Sequence, residues 1–233
     1  MRGNQYDAAI TIFSPEGRLY QVEYALELVK RGAPIVGVFS PEGLVLAANE
    51  TPESGLEDSN YYRKIFQFDD HVGVAIAGLS SDARVLIDQG RVYCQSNRLL
   101  YDEPVDVESL VETLSDRMQV YTQHGGVRPF GVSMIVAGVD TIGGKVLTTD
   151  PSGSYRGYKA RALGRNADEA NKLFEERYRE GLDIDEAIRL ATEAVNVASG
   201  GDINPSIIKV AVIPVETKSF KRLSEEEVVK YMQ

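Results

Sequence analysis

The feature that most constrains this chain is a set of short runs that are apolar at nearly every position. Ile35-Val36-Gly37-Val38-Phe39 and Leu44-Val45-Leu46-Ala47-Ala48 are two, joined by a hairpin turn at Ser40-Pro41-Glu42-Gly43. Lys64-Ile65-Phe66-Gln67-Phe68 and Val72-Gly73-Val74-Ala75-Ile76-Ala77 are two more, with a tight turn at Asp69-Asp70. Their length and bounding Gly and Pro read as strands, and continuous apolarity means both faces of the sheet are covered. Two helices follow. The first starts near Ser80-Ser81-Asp82 and carries Ala83, Leu86, Ile87 and Val92; the second is capped by Asp106. Val105 and Leu110 stand at staple positions around that cap, ahead of a stripe of Leu110, Leu114, Met118 and Tyr121. Strands return at 131–138, 145–149 and 158–163. Two more helices come next, with capping-box spacing at Asn166/Glu169 and Asp183/Glu186. A last strand spans Ile207 to Val215, and Ser224 opens a short terminal helix. Strand blocks alternating with helix pairs predict an α+β fold, a four-layer αββα sandwich. No linker interrupts the pattern, so residues 1–233 read as one domain, divided into residues 1–31 ahead of the sandwich and 32–233 within it.

The stretch ahead of the first strand is unusual for such a sandwich. Ser14-Pro15-Glu16-Gly17 reads as a turn, in which Pro presets φ and Gly permits positive φ. After it Leu19, Val22, Leu26 and Val29 recur on one helical stripe, Lys30 and Arg31 suit the helix C-terminus, and Gly32 ends it. A helix placed there lies either on its own sandwich or on a neighbouring copy.

Composition narrows the function. Acidic residues number 35 against 25 basic ones, a net charge of −10, which argues against nucleic acid or an anionic membrane as partner. No apolar run is long enough to span a bilayer, and the first residues lack the apolar core of a secretory signal. The single Cys94 and two histidines, His71 and His124, build no metal cluster. Cys94 reads as packing and His71 as a surface residue. Neither G-x-S-x-G nor a phosphate-binding glycine loop is present. No cofactor is expected.

Gly17-Arg18-Leu19-Tyr20-Gln21-Val22-Glu23-Tyr24-Ala25, with Tyr6-Asp7 and Ser14-Pro15-Glu16-Gly17 before it, resembles the signature of proteasome α-type subunits, the archaeal ones most closely. The resemblance covers essentially the whole chain and implies the N-terminal nucleophile hydrolase fold with an extra N-terminal helix. In the catalytic β-type relatives a Thr opens the first strand and attacks with its own α-amine as base. Ala33-Pro34 stands there in this chain, behind an attached helix; Asn49 replaces the expected acidic residue, and Lys64 matches the assisting lysine. Cutting before Thr11 would leave a helix ahead of the strand, and cutting before Thr51 would delete the first hairpin. A non-catalytic subunit is the reading this favours, with a self-processing β-like peptidase as the alternative.

The resemblance further implies a heptameric α ring that caps the β ring in the cytoplasm. Such a ring gates the entry of unfolded protein and docks the C-termini of activator ATPases. Tyr6, Asp7, Pro15 and Tyr24 match gate positions. Lys64, Gly17, Gly32, Gly78 and Leu79 match the activator pocket, and His124, Gly125 and Gly126 fall at the inner pore constriction. Three departures are visible: Ala8 where archaeal relatives usually carry Arg, Leu26 where the family often has Arg, and His124 where relatives often carry Tyr.

Overall fold

The computed structural model describes residues 11–52, 54–58, 61–201 and 204–232. Tyr6, Asp7 and Ala8 lie outside them. Helix α1 (Tyr20–Arg31) leads into the hairpin β1 (Ile35–Ser40) and β2 (Gly43–Asn49), then β3 (Ile65–Asp69) and β4 (Val72–Gly78). Helices α2 (Ser80–Tyr101) and α3 (Val107–Val120) precede β5 (Val132–Val139), β6 (Gly144–Thr149), β7 (Tyr155–Gly157) and β8 (Ala160–Leu163). Then come α4 (Ala167–Arg177), α5 (Ile184–Ala198), β9 (Ile208–Pro214), β10 (Lys221–Arg222) and α6 (Glu225–Tyr231).

The strands form two antiparallel five-stranded sheets, in the orders β10-β9-β2-β1-β8 and β3-β4-β5-β6-β7. Alternation along each strand explains the apolarity seen in the sequence. Ile35, Leu44, Leu46, Ala75, Ala77, Ile135 and Ala137 meet between the sheets. Val36, Val38, Val45 and Ala47 point the other way onto α4 and α5, where α5 offers Ala187, Ala191, Ala194 and Ala198. Val74, Ile76, Met134 and Val136 pack on α2 and α3. Both faces are covered, as the runs required, and the layers are αββα.

Local capping agrees with the sequence at three helices. Asp106 accepts from the Ser109 N–H at 3.0 Å. Capping boxes close at Asp183/Glu186 and Ser224/Glu227. Val105 and Leu110 are buried beside the first of these caps.

Elsewhere long-range packing overrides the local signal. Helix α2 has Leu79 at its N-cap and no side-chain cap, because Asp82 is drawn to Arg128. Asn166 adopts φ 52° and donates to the Ala198 carbonyl at 3.0 Å, so the expected box with Glu169 does not form. Gly32 ends α1 in an extended conformation, φ −63°, rather than a left-handed cap. On α1 the buried residues are Val22, Ala25 and Val29, with Leu19 and Leu26 half-buried. Val92 of α2 is exposed and Gly90 and Cys94 are buried in its place. The stretch 158–163, read as one strand, contributes β8 to one sheet, while the unread β7 just before it joins the other. The two-residue β10 was also unread.

Candidate functional site

Two neighbouring regions at the α1 end of the sandwich hold five of the candidate residues, Tyr24, Gly32, Lys64, Gly78 and Leu79. One is the start of β1. Ala33 and Pro34 run directly from α1 into the strand, so the nitrogen there is a peptide amide and the side chain has no hydroxyl. The backbone is tied on both sides: the Gly32 carbonyl accepts from the Arg165 N–H at 2.8 Å, and the Pro34 carbonyl from the Asn49 N–H at 3.0 Å. Asn49 is buried and donates through Nδ2 to Ser199 Oγ at 2.9 Å, while its Oδ1 accepts from the Thr51 N–H at 2.9 Å.

Lys64 is only 5% exposed. Its backbone N–H donates to Glu50 Oε1 at 2.7 Å, and its Nζ stands over the Tyr62 ring at 5.4 Å. Glu50 is buried too, takes the Ile65 N–H at 3.2 Å, and faces Arg222 at 3.8 Å. Arg222 donates to the Ile65 carbonyl. Burial lowers the Arg222 pKa, and the Glu50 charge works against that. Arg222 lies on the unread β10, so no local pattern could have flagged it.

The second region is the corner where α1 meets the end of β4. A Cβ on Gly32 would lie 2.7 Å from the Gly78 nitrogen, and one on Gly78 only 2.2 Å from the Gly131 carbonyl oxygen. Gly78 also has φ 112°, open to glycine and little else. Backbone therefore lies directly on backbone, and Leu79 follows with its N–H donating to the Gly131 carbonyl at 2.9 Å. Asp82 closes the corner: it takes Arg128 in a fork at 2.6 and 2.9 Å and the Gly131 N–H at 2.8 Å. Burial raises the Asp82 pKa, but Arg128 and the Gly131 N–H outweigh it and hold the carboxyl below its ordinary value. The sequence reading made Asp82 a cap residue and missed this pair.

The structure thus gathers Gly32, Gly78 and Leu79, with Lys64 on the adjoining strand, its carbonyl accepting from the Ile76 N–H at 2.9 Å. Tyr24, Leu28, Leu79 and Arg128 share a shallow cleft of about 170 Å³, so a gate candidate and a pocket candidate meet there. Gly17 sits apart, with open space where a side chain would be and φ 76°. It closes the turn begun by Ser14, donating to the Ser14 carbonyl at 2.8 Å, with Pro15 exposed inside that turn. His124, Gly125 and Gly126 form an exposed turn after α3. His124 Nδ1 donates to the Val120 carbonyl at 2.9 Å, and Gly126 has φ 86°.

The other polar residues lie away from this end. His71 is 3% exposed, not a surface residue. Its Nε2 donates to the Val105 carbonyl at 2.8 Å while its Nδ1 faces Asp69 at 3.5 Å. Cys94 is buried, and burial, then the nearby Asp69, pushes its thiol up to about 12, far from a reactive thiolate. Among the described residues no group of three or more His, Cys, Asp or Glu could hold a metal, and no helix is long and apolar enough to cross a membrane.

Known proteins agree with this architecture. Residues 29–213 match the family described as proteasome subunit, and residues 6–27 match the N-terminal signature of proteasome A-type subunits. The chain is 45% identical over 228 residues to the proteasome alpha subunit of Methanothermobacter thermautotrophicus, covering 98% of this chain and 92% of that one. The same figures hold for the proteasome alpha subunit of Archaeoglobus fulgidus. That of Methanopyrus kandleri is 46% identical over 223 residues, 96% of this chain and 90% of the other. With its αββα sandwich, its leading helix and this N-terminal signature, the chain belongs to the proteasome subunit family and is of its α type.

Proposed function

We propose that this chain is a non-catalytic α subunit of the 20S proteasome core. It assembles in the cytoplasm as a heptameric outer ring on a ring of β subunits, admits unfolded protein through an axial gate, and docks the C-termini of activator ATPases. The observation that carries the non-catalytic reading is the uninterrupted run α1–Gly32–Ala33–Pro34–β1. An N-terminal nucleophile needs a hydroxyl and a free α-amine on the residue that opens the strand. Here the residue is Ala33, its nitrogen is acylated, and Gly32 is hydrogen-bonded to Arg165. Lys64, Glu50 and Asn49 are each engaged with neighbours.

The gate is assigned to Tyr6, Asp7, Pro15 and Tyr24, and the activator pocket to Lys64, Gly17, Gly32, Gly78 and Leu79. His124 with its two glycines is assigned to the inner constriction. What supports the pocket is the corner itself: close backbone contact fixes Gly32, Gly78 and Leu79 as one rigid wall, and Lys64 beside it supplies a cation for the terminal carboxylate of a peptide.

Intact mass and peptide hydrolysis test this reading together. The purified chain keeps its full mass and cleaves no fluorogenic peptide. Loss of the residues before β1 would instead establish self-processing, and hydrolysis that survives Thr11→Ala and Thr51→Ala would overturn the non-catalytic reading.

A further inference from the structure

A larger cleft lies outside the regions described above. It opens between the two sheets at their β7 and β8 edges, has a volume of about 530 Å³, and is roofed by Leu26, Val29 and Lys30 of α1. Strand register fixes what points into it. Arg156 of β7 stands opposite Thr148, which is itself paired with Ile135 of the inter-sheet core. Arg161 of β8 stands opposite Gly37, whose missing side chain faces Ile135 and Val146 of the other sheet. Ser133 is opposite Ala77, again on the inter-sheet face. Two arginines, Arg156 exposed and Arg161 half-buried, and two hydroxyls therefore line one open cleft from β5, β6, β7 and β8.

These groups make no hydrogen bond to other described residues. Ser133 is 2% exposed and Thr148 9%, and among the described residues neither side chain has a hydrogen-bond partner. Arg156 has no carboxylate partner among them, and Arg161 has only the face of the Tyr158 ring, at 5.0 Å. In a chain of net charge −10, these two arginines bring positive charge to the wall of the cleft. The N-terminus of α4 lies on the same cleft, and its cap residue Asn166 has turned its side chain away to Ala198, so the first-turn N–H groups receive no side-chain cap. Two carboxylates also stand at the cleft: Asp150 accepts the Ser152 N–H at 2.8 Å, and Asp168 lies at the start of α4, while Lys30 pairs with Glu27.

We propose that this cleft binds a phosphate group, free or carried on a small molecule. The donors are two guanidinium forks and two hydroxyls, spread over four strands in three dimensions. That arrangement suits a tetrahedral dianion with several acceptor oxygens; a planar carboxylate is satisfied by a single fork. Lys30 of α1 stands at the same cleft, so occupancy ties the two sheets to the helix that covers the start of β1.

The test uses the full chain as purified and inorganic phosphate as the probe, titrated in a calorimeter at constant ionic strength. Binding is expected to be saturable at one site per chain and to raise the thermal midpoint. Arg156→Gln with Arg161→Gln should weaken it roughly tenfold or more, the loss of at least one charge-assisted hydrogen bond. Thr148→Val, which keeps the shape, should weaken it a few-fold, and Arg84→Gln on the exposed side of α2 should leave it unchanged. No saturable binding at phosphate concentrations on the order of 10 mM would overturn the proposal. So would an equal effect of Arg84→Gln, or preference for acetate over phosphate. None of these outcomes bears on the non-catalytic reading, which rests on the start of β1, or on the family, which rests on the likeness to other α subunits.

Discussion

The two ends of the sandwich are held by different physics. At the α1 end the chain closes by shape: Gly32 lies on Gly78, Gly78 on Gly131, and the ion pair of Asp82 with Arg128 braces a backbone contact. At the opposite end it closes by charge. Asp140, with a side chain 3% exposed, accepts from Lys145 Nζ at 2.7 Å and from the N–H groups of Val107, Ile142 and Gly143. Lys145 also reaches Asp106 at 2.9 Å, and His71 and Arg98 face Asp69 nearby. Steric closure tolerates no added atoms and ignores pH and salt. Ionic closure tolerates small shape changes and responds to both. The end proposed to meet a peptide is the one whose geometry is fixed.

The sharpest way to break this contrast is Gly78→Ala. A Cβ there would meet the Gly131 oxygen at 2.2 Å, and alanine is strained at φ 112°. Overpacking and backbone strain together should cost about 3–5 kcal/mol. Urea denaturation measures it, and the loss should be the same at high and low salt. A loss below about 1 kcal/mol would mean that the corner yields, and the steric description of this end would fail.

Lys145→Met applies the same logic to the other end. It leaves the Asp140 carboxylate buried with backbone donors alone. Breaking a buried pair on one side is severe, but three N–H groups remain, so about 2–4 kcal/mol is expected. Adding Asp140→Asn should recover part of that loss, because the uncompensated charge disappears. A double variant with the summed loss of the two single ones would show that the charges are not coupled.

Much of this contrast was legible in the sequence as fold, and little of it as site. The doubly apolar runs announced a covered sheet, and Asp106, Asp183 and Ser224 announced their helices, since a cap needs only residues three apart. What sequence reading missed was set by distant partners. His71 looked like a surface residue and is buried against Val105, and Asp82 looked like a cap and serves Arg128, 46 residues away. The burial of Lys64 is not legible locally, because Glu50, which takes its N–H, is 14 residues away. The β7–β8 boundary failed for a related reason: residues adjacent in the chain join different sheets, which no local period records.

Lys64 sharpens the comparison at the α1 end, where one cation stands in a steric frame. Because it is buried, truncation to Ala would disturb packing, so Lys64→Met, which keeps most of the stem, is the cleaner variant. Loss of a carboxylate–ammonium hydrogen bond should weaken an activator's C-terminal peptide by ~1.5–3 kcal/mol, roughly ten- to a hundredfold. Titrating that peptide into the assembled particle and following fluorogenic hydrolysis reads it out. An unchanged half-saturation point would remove Lys64 from the pocket.

At the ionic end Asp106 makes the pH dependence explicit. Burial raises its pKa, but the Ser109 N–H and the Lys145 ammonium outweigh it, so the carboxyl lies well below the carboxylate range. A depressed folded pKa contributes stability that is fully present above the unfolded value near ~3.9 and is lost as pH falls toward the folded one. Asp106→Asn keeps a good N-cap and removes the charge. With the Asp106 side chain 38% exposed, solvent screening reduces the contribution to about 1 kcal/mol at neutral pH. The variant should unfold less steeply than the parent below about pH 4. Lys145 moves oppositely: its pKa is raised, the hydrogen bonds to Asp140 and Asp106 outweighing burial. Its contribution is therefore full below ~10.4 and lost as pH rises through the raised value. Parallel acid curves for parent and variant would sever Asp106 from the latch.

The smallest effect separates charges that hold the ionic end from charges that merely decorate it. Arg98 pairs with Asp69 at 3.0 Å and with Asp70 at 3.5 Å, but its side chain is 43% exposed and that of Asp70 is 75% exposed. Partners in water gain little Coulomb energy and lose side-chain freedom on pairing, so Arg98→Ala should cost less than about 1 kcal/mol. It should also lose most of that effect in ~1 M salt, where the screening length falls to about 3 Å. Lys145→Met, acting on a buried carboxylate, should keep nearly all of its effect under the same conditions. Thermal melts of both variants at low and high salt make the distinction. If Arg98→Ala proved as costly and as salt-insensitive as Lys145→Met, the latch would extend across Asp69 to His71. The ionic end would then be one coupled network instead of a buried core with a solvated fringe.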